Sequence, residues 1–405
     1  MNNPSTSSSS TSITSLPQEI LLKILTGLPA KSAVRFRCTS KFFYSFIPEP
    51  SFAFKILVSL PSKPPSELNL YSVSYREDSH GNNLQADTAQ RLDVPGLVSS
   101  ADDKMCLLSL ESRDDAVFDL STGRRICLPR IGRPGGRSAL SITSCVWSNT
   151  SLGFDLVSER YKVFKSAMYY DYDFRRMLNQ LWILTVGVDK SWREIDSTIR
   201  GYITTAAVHI HGIMYLIREP IAEHLTGFSL PFRHLFHSLS TKPKIVTIDV
   251  ATERFIKSIP FPFEYYSPQH HQEWRAWMKL NGHLAFINIL SPQRADGVLT
   301  PWPDSIDIWR LERSMEFEKQ TVVLPLEERE VIGEATSMKF TANSMGEIVF
   351  LIQSKKVMSP LVLVYSFGRD VWRRFEIHGV CNYSFSFLDT RSIVHVEDEI
   401  ATFLE

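Results

Sequence analysis

Hairpin units of two kinds alternate through most of this chain, recurring at roughly 60 residues, and no other feature restricts its fold as much. One kind is AVFDLSTGRRICLP (116 to 129), LWILTVGVDKSWREID (181 to 196), KIVTIDVATERFIKSIP (244 to 260), SIDIWRLERSMEFEKQTVVLP (305 to 325) and LVLVYSFGRDVWRRFEIHG (361 to 379). In each, apolar and polar residues alternate around a turn, as in strands with one face in water. The other kind is apolar on both faces: GLVSSADDKMCLLSL (96 to 110), 142 to 167, YITTAAVHIHGIMYLI (202 to 217), WMKLNGHLAFINIL (277 to 290), SMKFTANSMGEIVFLI (337 to 352) and NYSFSFLDTRSIVHVE (382 to 397). Strands of that type lie inside a stack. An inner and an outer hairpin together make a four-stranded blade, and blades repeated about an axis make a β-propeller.

The inner units number six and the clear outer units five. Residues 66 to 78 and 89 to 95 supply strands for the sixth outer unit, and joining them to the unit at 382 to 397 closes the ring without free edges. The pattern predicts six blades, with five and seven as the neighbouring counts.

Residues 16 to 52 have a different period. Ser15 suits a helix N-cap, Pro17 a first turn, and Ile20, Leu21, Ile24, Leu25 and Leu28 recur at helical spacing until Gly27 and Pro29 end the run. Two more short helices follow, from Ala30 to Arg37 and from Ser40 to Ile47. Three helices in so short a stretch bury little against one another, so part of this apolar surface is expected to meet a partner.

The residues Leu16-Pro17, Ile20-Leu21, Ile24-Leu25, Leu28-Pro29-Ala30-Lys31-Ser32, Arg35-Phe36-Arg37-Cys38 and Ser40-Lys41 resemble the F-box of plant F-box proteins. Phe43 stands where that motif usually has Trp, and Thr39 follows the Cys in place of an aliphatic residue. Farther on, GFDLVSERYKVFKS, IDVATERFIKSIPFP and IDIWRLER are similar to phrases of the kelch-like F-box-associated domain. The resemblance implies a substrate receptor of an SCF-type ubiquitin ligase that docks on a Skp-type adaptor and, through it, on cullin and RING subunits. With the apolar helix face, it implies that Leu16, Pro17, Ile20, Leu21, Ile24, Leu28, Pro29 and Phe36 form or support the adaptor contact.

The rest of the chain divides accordingly. Residues 1 to 15 read as a disordered Ser/Thr-rich tail, 16 to 60 as the F-box and a following short helix, 61 to 66 as a Pro-rich linker and 67 to 405 as the propeller. The 44 basic and 44 acidic side chains balance, which removes the electrostatic argument for a nucleic-acid or membrane partner. Five scattered cysteines without a C-x-x-C pair fit a reduced compartment, cytoplasmic or nuclear.

No cofactor is expected. His209-x-His211 has the spacing of a metal pair on a strand, but no third ligand accompanies it at a diagnostic spacing. No catalytic motif emerges, and the alternative reading, a propeller enzyme or a non-ligase assembly factor tethered by the F-box, has no constellation of its own.

Strand direction locates the target site. In up-and-down blades the second-to-third connections and those between blades leave one end, and the hairpin turns leave the other. The first set is long: 129 to 141, 168 to 180, 218 to 243, 261 to 276, 291 to 304, 326 to 336 and 353 to 360. Long loops on a rigid scaffold carry binding, and aromatic and Arg residues dominate interfaces, so Tyr169, Arg175, Phe232, Arg233, Tyr266 and Trp302 are the candidate target contacts.

Overall fold

A computed structural model describes residues 52–61, 68–78, 83–92, 97–101, 104–108, 115–119, 124–131, 142–171, 176–195, 202–203, 207–219, 244–262, 273–290, 305–333, 335–343, 345–354, 359–380 and 393–400, together with Leu16, Pro17, Ile20, Leu21, Thr39 and 41–46. Near the N-terminus lies helix α1 (Lys41–Phe46). The first sheet holds β1 (Phe52–Pro61), β2 (Leu68–Glu77), β3 (Leu84–Ala86) and β4 (Gln90–Leu92). The second is β5 (Leu97–Ala101), β6 (Lys104–Leu108), β7 (Asp115–Asp119) and β8 (Arg125–Cys127). The third is β9 (Ile142–Asp155), β10 (Arg160–Asp171), β11 (Arg176–Thr185) and β12 (Arg193–Glu194).

In the fourth sheet β13 (Tyr202–Ile203) and β14 (Val208–Ile210) both pair with β15 (Ile213–Glu219), followed by β16 (Lys244–Asp249) and β17 (Arg254–Pro260). The fifth is β18 (Glu273–Leu280), β19 (His283–Leu290), β20 (Ser305–Leu311) and β21 (Phe317–Val323). Helix α2 (Leu326–Ile332) leads to the sixth, β22 (Ala335–Ala342), β23 (Glu347–Ser354), β24 (Leu361–Ser366) and β25 (Val371–Glu376). Last comes β26 (Ile393–Ile400), which returns to the first sheet and pairs with β1. Among the described residues every strand pairing in these six sheets is antiparallel, and neighbouring first strands touch in the series β5, β9, β14, β18, β22, β26.

Period-2 side-chain alternation explains the stacking. On β24, Leu361, Leu363 and Tyr365 enter the core shared with the fifth sheet, while Val362 and Val364 enter the core shared with the first. β23 divides in the same way, Ile348, Phe350 and Ile352 going one way and Val349 and Leu351 the other. Each strand is thus buried on both faces because sheets flank it on both sides. At about 1.5–3 kcal/mol per fully buried large aliphatic or aromatic side chain, the inter-sheet cores dominate the favourable side of the stability balance. Similar clusters join the second sheet to the third, the third to the fourth and the fourth to the fifth.

The inner and outer hairpins fall where the sequence pattern predicts them, from β5–β6 and β7–β8 through β24–β25. The pairing of the two ends of the domain does not. Of residues 51 to 60, expected as a helix, 52 to 60 belong to β1, and Ile56, Leu57 and Val58 are all essentially buried. Three consecutive buried side chains need apolar neighbours on both faces, which a strand in a sheet flanked by other sheets receives and a surface helix does not; Ile56 and Val58 pack against Val349, Leu351 and Val362 of the sixth sheet. The propeller therefore begins before the proposed linker, and Pro61 is the last residue of a strand. β26 pairs with β1, not with the residue 66 to 95 strands, of which β2 sits one strand farther out and β3 and β4 two. Residues 382 to 392 of the last inner unit lie outside the described residues.

Two connections also differ from expectation. The span 168 to 180 is mainly strand, because β10 and β11 continue pairing as far as Asp171 and Arg176. Within 326 to 336 the chain forms α2, whose Ile332 is fully buried in the core between the fifth and sixth sheets.

Candidate functional site

At the N-terminal end the Ile20 and Leu21 N–H groups donate to the Pro17 carbonyl at 3.0 and 3.1 Å, closing a first helical turn. Adjacent helical residues point about 100° apart, and these two split: Ile20 is 46 % exposed, Leu21 only 3 %. Leu16, four residues before Ile20, is also exposed, as is Pro17. On α1 the division repeats, with Phe42 exposed and Phe43 buried, their rings meeting edge to face at 5.3 Å. Phe43, at the position where the motif usually has Trp, is therefore an internal residue. Leu21 likewise supports the exposed face from within instead of forming it. Ile24, Leu28, Pro29 and Phe36 lie outside the described residues.

The sheets present two ends. The hairpin-turn end is locked. His211, Asn281, Glu159, Glu253, Met315 and Asp370 all adopt positive φ in its turns. A Cβ on Gly346 would overlap the Asn281 amide, one on Gly282 would meet His211 Nε2 at 3.3 Å and one on Gly212 would meet Leu156 at 3.2 Å, so successive inner turns abut. Lys162, buried on β10, spans the third and fourth sheets: its Nζ lies 3.1 Å from Asp155 Oδ2 and 2.9 Å from Glu253 Oε1, and it donates to the Val250 carbonyl. Arg193 forks onto Glu253 and also reaches Asp189 at 3.2 Å. Burial alone would raise the Asp155 pKa, but hydrogen bonds from Ser158, the Val157 N–H and Lys162 outweigh it and hold it at about 2.

These charges neutralise one another across a sheet junction and act as fasteners. His209 has the same role. Its Nε2 lies 3.2–3.3 Å from the N–H groups of Gly212 and Phe154 and 3.1 Å from the Phe154 carbonyl, so the ring is engaged with backbone. His211 sits beyond β14 in the turn, and the two imidazoles do not form the strand-face pair the spacing suggested. A cavity of about 210 Å³ between the fifth and sixth sheets is bordered by Leu280, Ile308, Arg310, Glu318 and Phe367. It is smaller than the usual range for ligand pockets, and its Arg310 is already held by Glu312 and Glu318.

At the opposite end, of the six candidate target contacts, Tyr169 is placed on β10, opposite Leu178 and Cys145. Arg175, Phe232, Arg233, Tyr266 and Trp302 lie outside the described residues. Sequence reasoning missed two devices. Trp192 and Trp372, each just after an outer turn, donate their indole N–H to the preceding sheet, to the carbonyls of Pro129 and Val323. The shared W-R at 192–193 and 372–373 was their signal.

Residues 13–55 match the F-box domain, and residues 60–400 match the F-box associated beta propeller domain. The chain belongs to the F-box proteins that carry this propeller domain. It is similar to F-box protein At1g30790 of Arabidopsis thaliana, with 26 % identity over 91 % of this chain and 90 % of that one. F-box protein At1g47340, also of Arabidopsis thaliana, shows 24 % identity over 94 % and 79 %. Among solved structures, the β-propeller domain of the Trilobed protease from Pyrococcus furiosus overlaps 84 % of this chain and 99 % of its own at TM-score 0.32 and 9 % identity, a loose likeness. In this F-box protein the two domains share a border: the F-box match ends at residue 55, inside β1.

Proposed function

We propose that this F-box protein is the substrate-recognition subunit of an SCF-type ubiquitin ligase, working in the cytoplasm or nucleus. Its helical module binds a Skp-type adaptor, which links it to cullin and RING subunits. The propeller, a closed ring of six blades joined at β1 and β26, holds a target protein at the end with the long connections. The chain itself does no chemistry on the target; it raises the target's effective concentration at the ubiquitin-loading subunits.

The observation that carries this reading is the sorting of apolar residues in the F-box, with Leu16, Ile20 and Phe42 outside over Leu21 and Phe43 inside. An apolar helical surface of this kind suits a hydrophobic groove. Titration of a Skp-type adaptor against the full chain tests it. Ile20→Asp should weaken binding by about tenfold or more, since a central interface residue commonly contributes over 1 kcal/mol. Unchanged affinity in that variant would overturn the adaptor contact. Reconstitution with cullin and RING subunits, read as ubiquitin transfer to a captured target, tests the ligase role.

A further inference from the structure

The chain enters the propeller from a definite end. Glu77, the last residue of β2, is held by Arg369 from the turn between β24 and β25, so β2 finishes at the hairpin-turn end. β1 runs antiparallel to β2 with Ala53 opposite Arg76, which places its first residue, Phe52, at that same end. Only residues 47 to 51 separate Phe52 from Phe46, the last residue of α1, and six Cα steps span at most about 22 Å. The F-box is therefore tethered at the hairpin-turn end, opposite the long connections.

The inner turns at this end form one continuous rim. Leu156 packs over Gly212, His211 over Gly282 and the Asn281 amide over Gly346, so contacts between successive turns join the third sheet to the sixth. From this rim Leu156, Val157 and Met345 stand 58, 83 and 57 % exposed. The first turn holds its shape by other means: Asp155 accepts from the Val157 N–H at 2.9 Å, from the Ser158 N–H at 3.2 Å and from Ser158 Oγ at 2.7 Å. Two apolar side chains are thus kept in water on a rigid support. Charge is sorted as well. Apart from Glu159, the described residues of these inner turns carry no carboxylate, ammonium or guanidinium, whereas the outer turns expose Lys190, Arg254, Arg313, Glu316 and Arg369. A neutral, partly apolar centre inside a charged margin is the anatomy of a protein interface.

We propose that this inner-turn rim is a second contact for the Skp-type adaptor, made by Leu156, Val157 and Met345 once the F-box has engaged it. The inference rests on the ligase reading and adds a surface to it. A partner bound to the F-box is already beside the rim, so the second contact forms at high effective concentration and a modest apolar area suffices. A second copy of the chain has no such advantage: it meets the rim from free solution, at an end that the F-box and its adaptor already occupy. The adaptor surface that fits is neutral and apolar at its centre. Its engagement fixes the propeller relative to the ligase scaffold, so that a target held at the long connections is presented in one orientation.

Titration of the full chain with a recombinant Skp-type adaptor gives the first test. Val157→Asp combined with Met345→Asp should weaken binding about tenfold. The thermal midpoint should stay unchanged, since both side chains are exposed. Hydrogen exchange on the unaltered chain gives the second: adaptor binding should slow the His211 and Asn281 amides in the rim and leave those of Glu219 and Leu290, at the long-connection ends of β15 and β19, as they were. Unchanged affinity in the double variant, or rim amides that do not slow, would overturn the proposal. Slowing that grows with chain concentration in the absence of adaptor would assign the rim to a second copy instead. Ile20→Asp reads the F-box contact separately. If it abolishes binding while the rim variant does not, the ligase reading stands and the rim contact fails; an adaptor that does not bind the unaltered chain removes both.

Discussion

Arg373 on β25 and Glu77 at the end of β2 are paired although they stand 296 positions apart in the chain. The Arg373 side chain is buried, and its other terminal nitrogen donates to buried Glu347, which Asn343 holds in turn at 2.8 Å. Arg369 adds a second cation on Glu77 at 3.0 Å. The sixth and first sheets are thereby fastened to each other.

Arg373→Ala should cost about 3–5 kcal/mol, because it strands the buried Glu347 carboxylate without a counter-charge. Urea unfolding checks it, and a loss within a few tenths of a kcal/mol of zero would show that the fastener is dispensable. Deleting residues 393 to 405 should loosen β1 amides as well, since they pair with β26.

Asp155 titrates at about 2 in the folded chain, below its ordinary value of 3.8. A depressed carboxylate pKa stabilises the folded state above the unfolded value, and that contribution is lost as the pH falls from about 4 toward 2. Glu77, also held low, acts in the same direction: burial raises its pKa, but hydrogen bonds and charge from Arg369 and Arg373 prevail. Asp155→Asn should lower stability at pH 7 and flatten its decline in acid. Unfolding free energies measured down the acid limb decide it, and a decline as steep as that of the unaltered chain would remove Asp155 from the account.

Trp372→Phe keeps an aromatic side chain beside Phe350 and Tyr365 but removes the five-membered part of the indole, and with it the N–H that reaches the Val323 carbonyl at 3.1 Å. The expected loss is at least about 1 kcal/mol, from the hydrogen bond together with the trimmed ring, with Trp192→Phe behaving alike through Pro129. Thermal unfolding of the two single variants and the double variant tests whether the fasteners act separately, as sites this far apart in sequence and sheet should.

Gly346→Ala places a Cβ at φ +75 and against the Asn281 side chain. The left-handed conformation alone costs about 1–2 kcal/mol for a residue with a Cβ, and the contact adds to it. In an Asn281→Ala background the second part should vanish. Equal losses in both backgrounds, read from denaturant midpoints, would show that the inner turns do not abut.

The F-box motif and the hairpin order could be read in the residues themselves because both are local. A turn such as ATER between KIVTID and RFIKSIP implies β16 and β17 wherever the hairpin is placed, since period-2 alternation and turn chemistry act over a few residues. Tertiary structure alone made FAFKILVSLP a strand: β26 and β2 satisfy its backbone on the two edges, and Ile56, Leu57 and Val58, apolar in succession, are all buried only in a sheet packed within the stack, as Ile56 and Val58 are against the sixth sheet. The same holds for the Arg373–Glu77 pair and the backbone bonds of His209. Each depends on which distant strand becomes a neighbour, and the free energy of that choice is spread over inter-sheet cores that no short stretch of sequence contains.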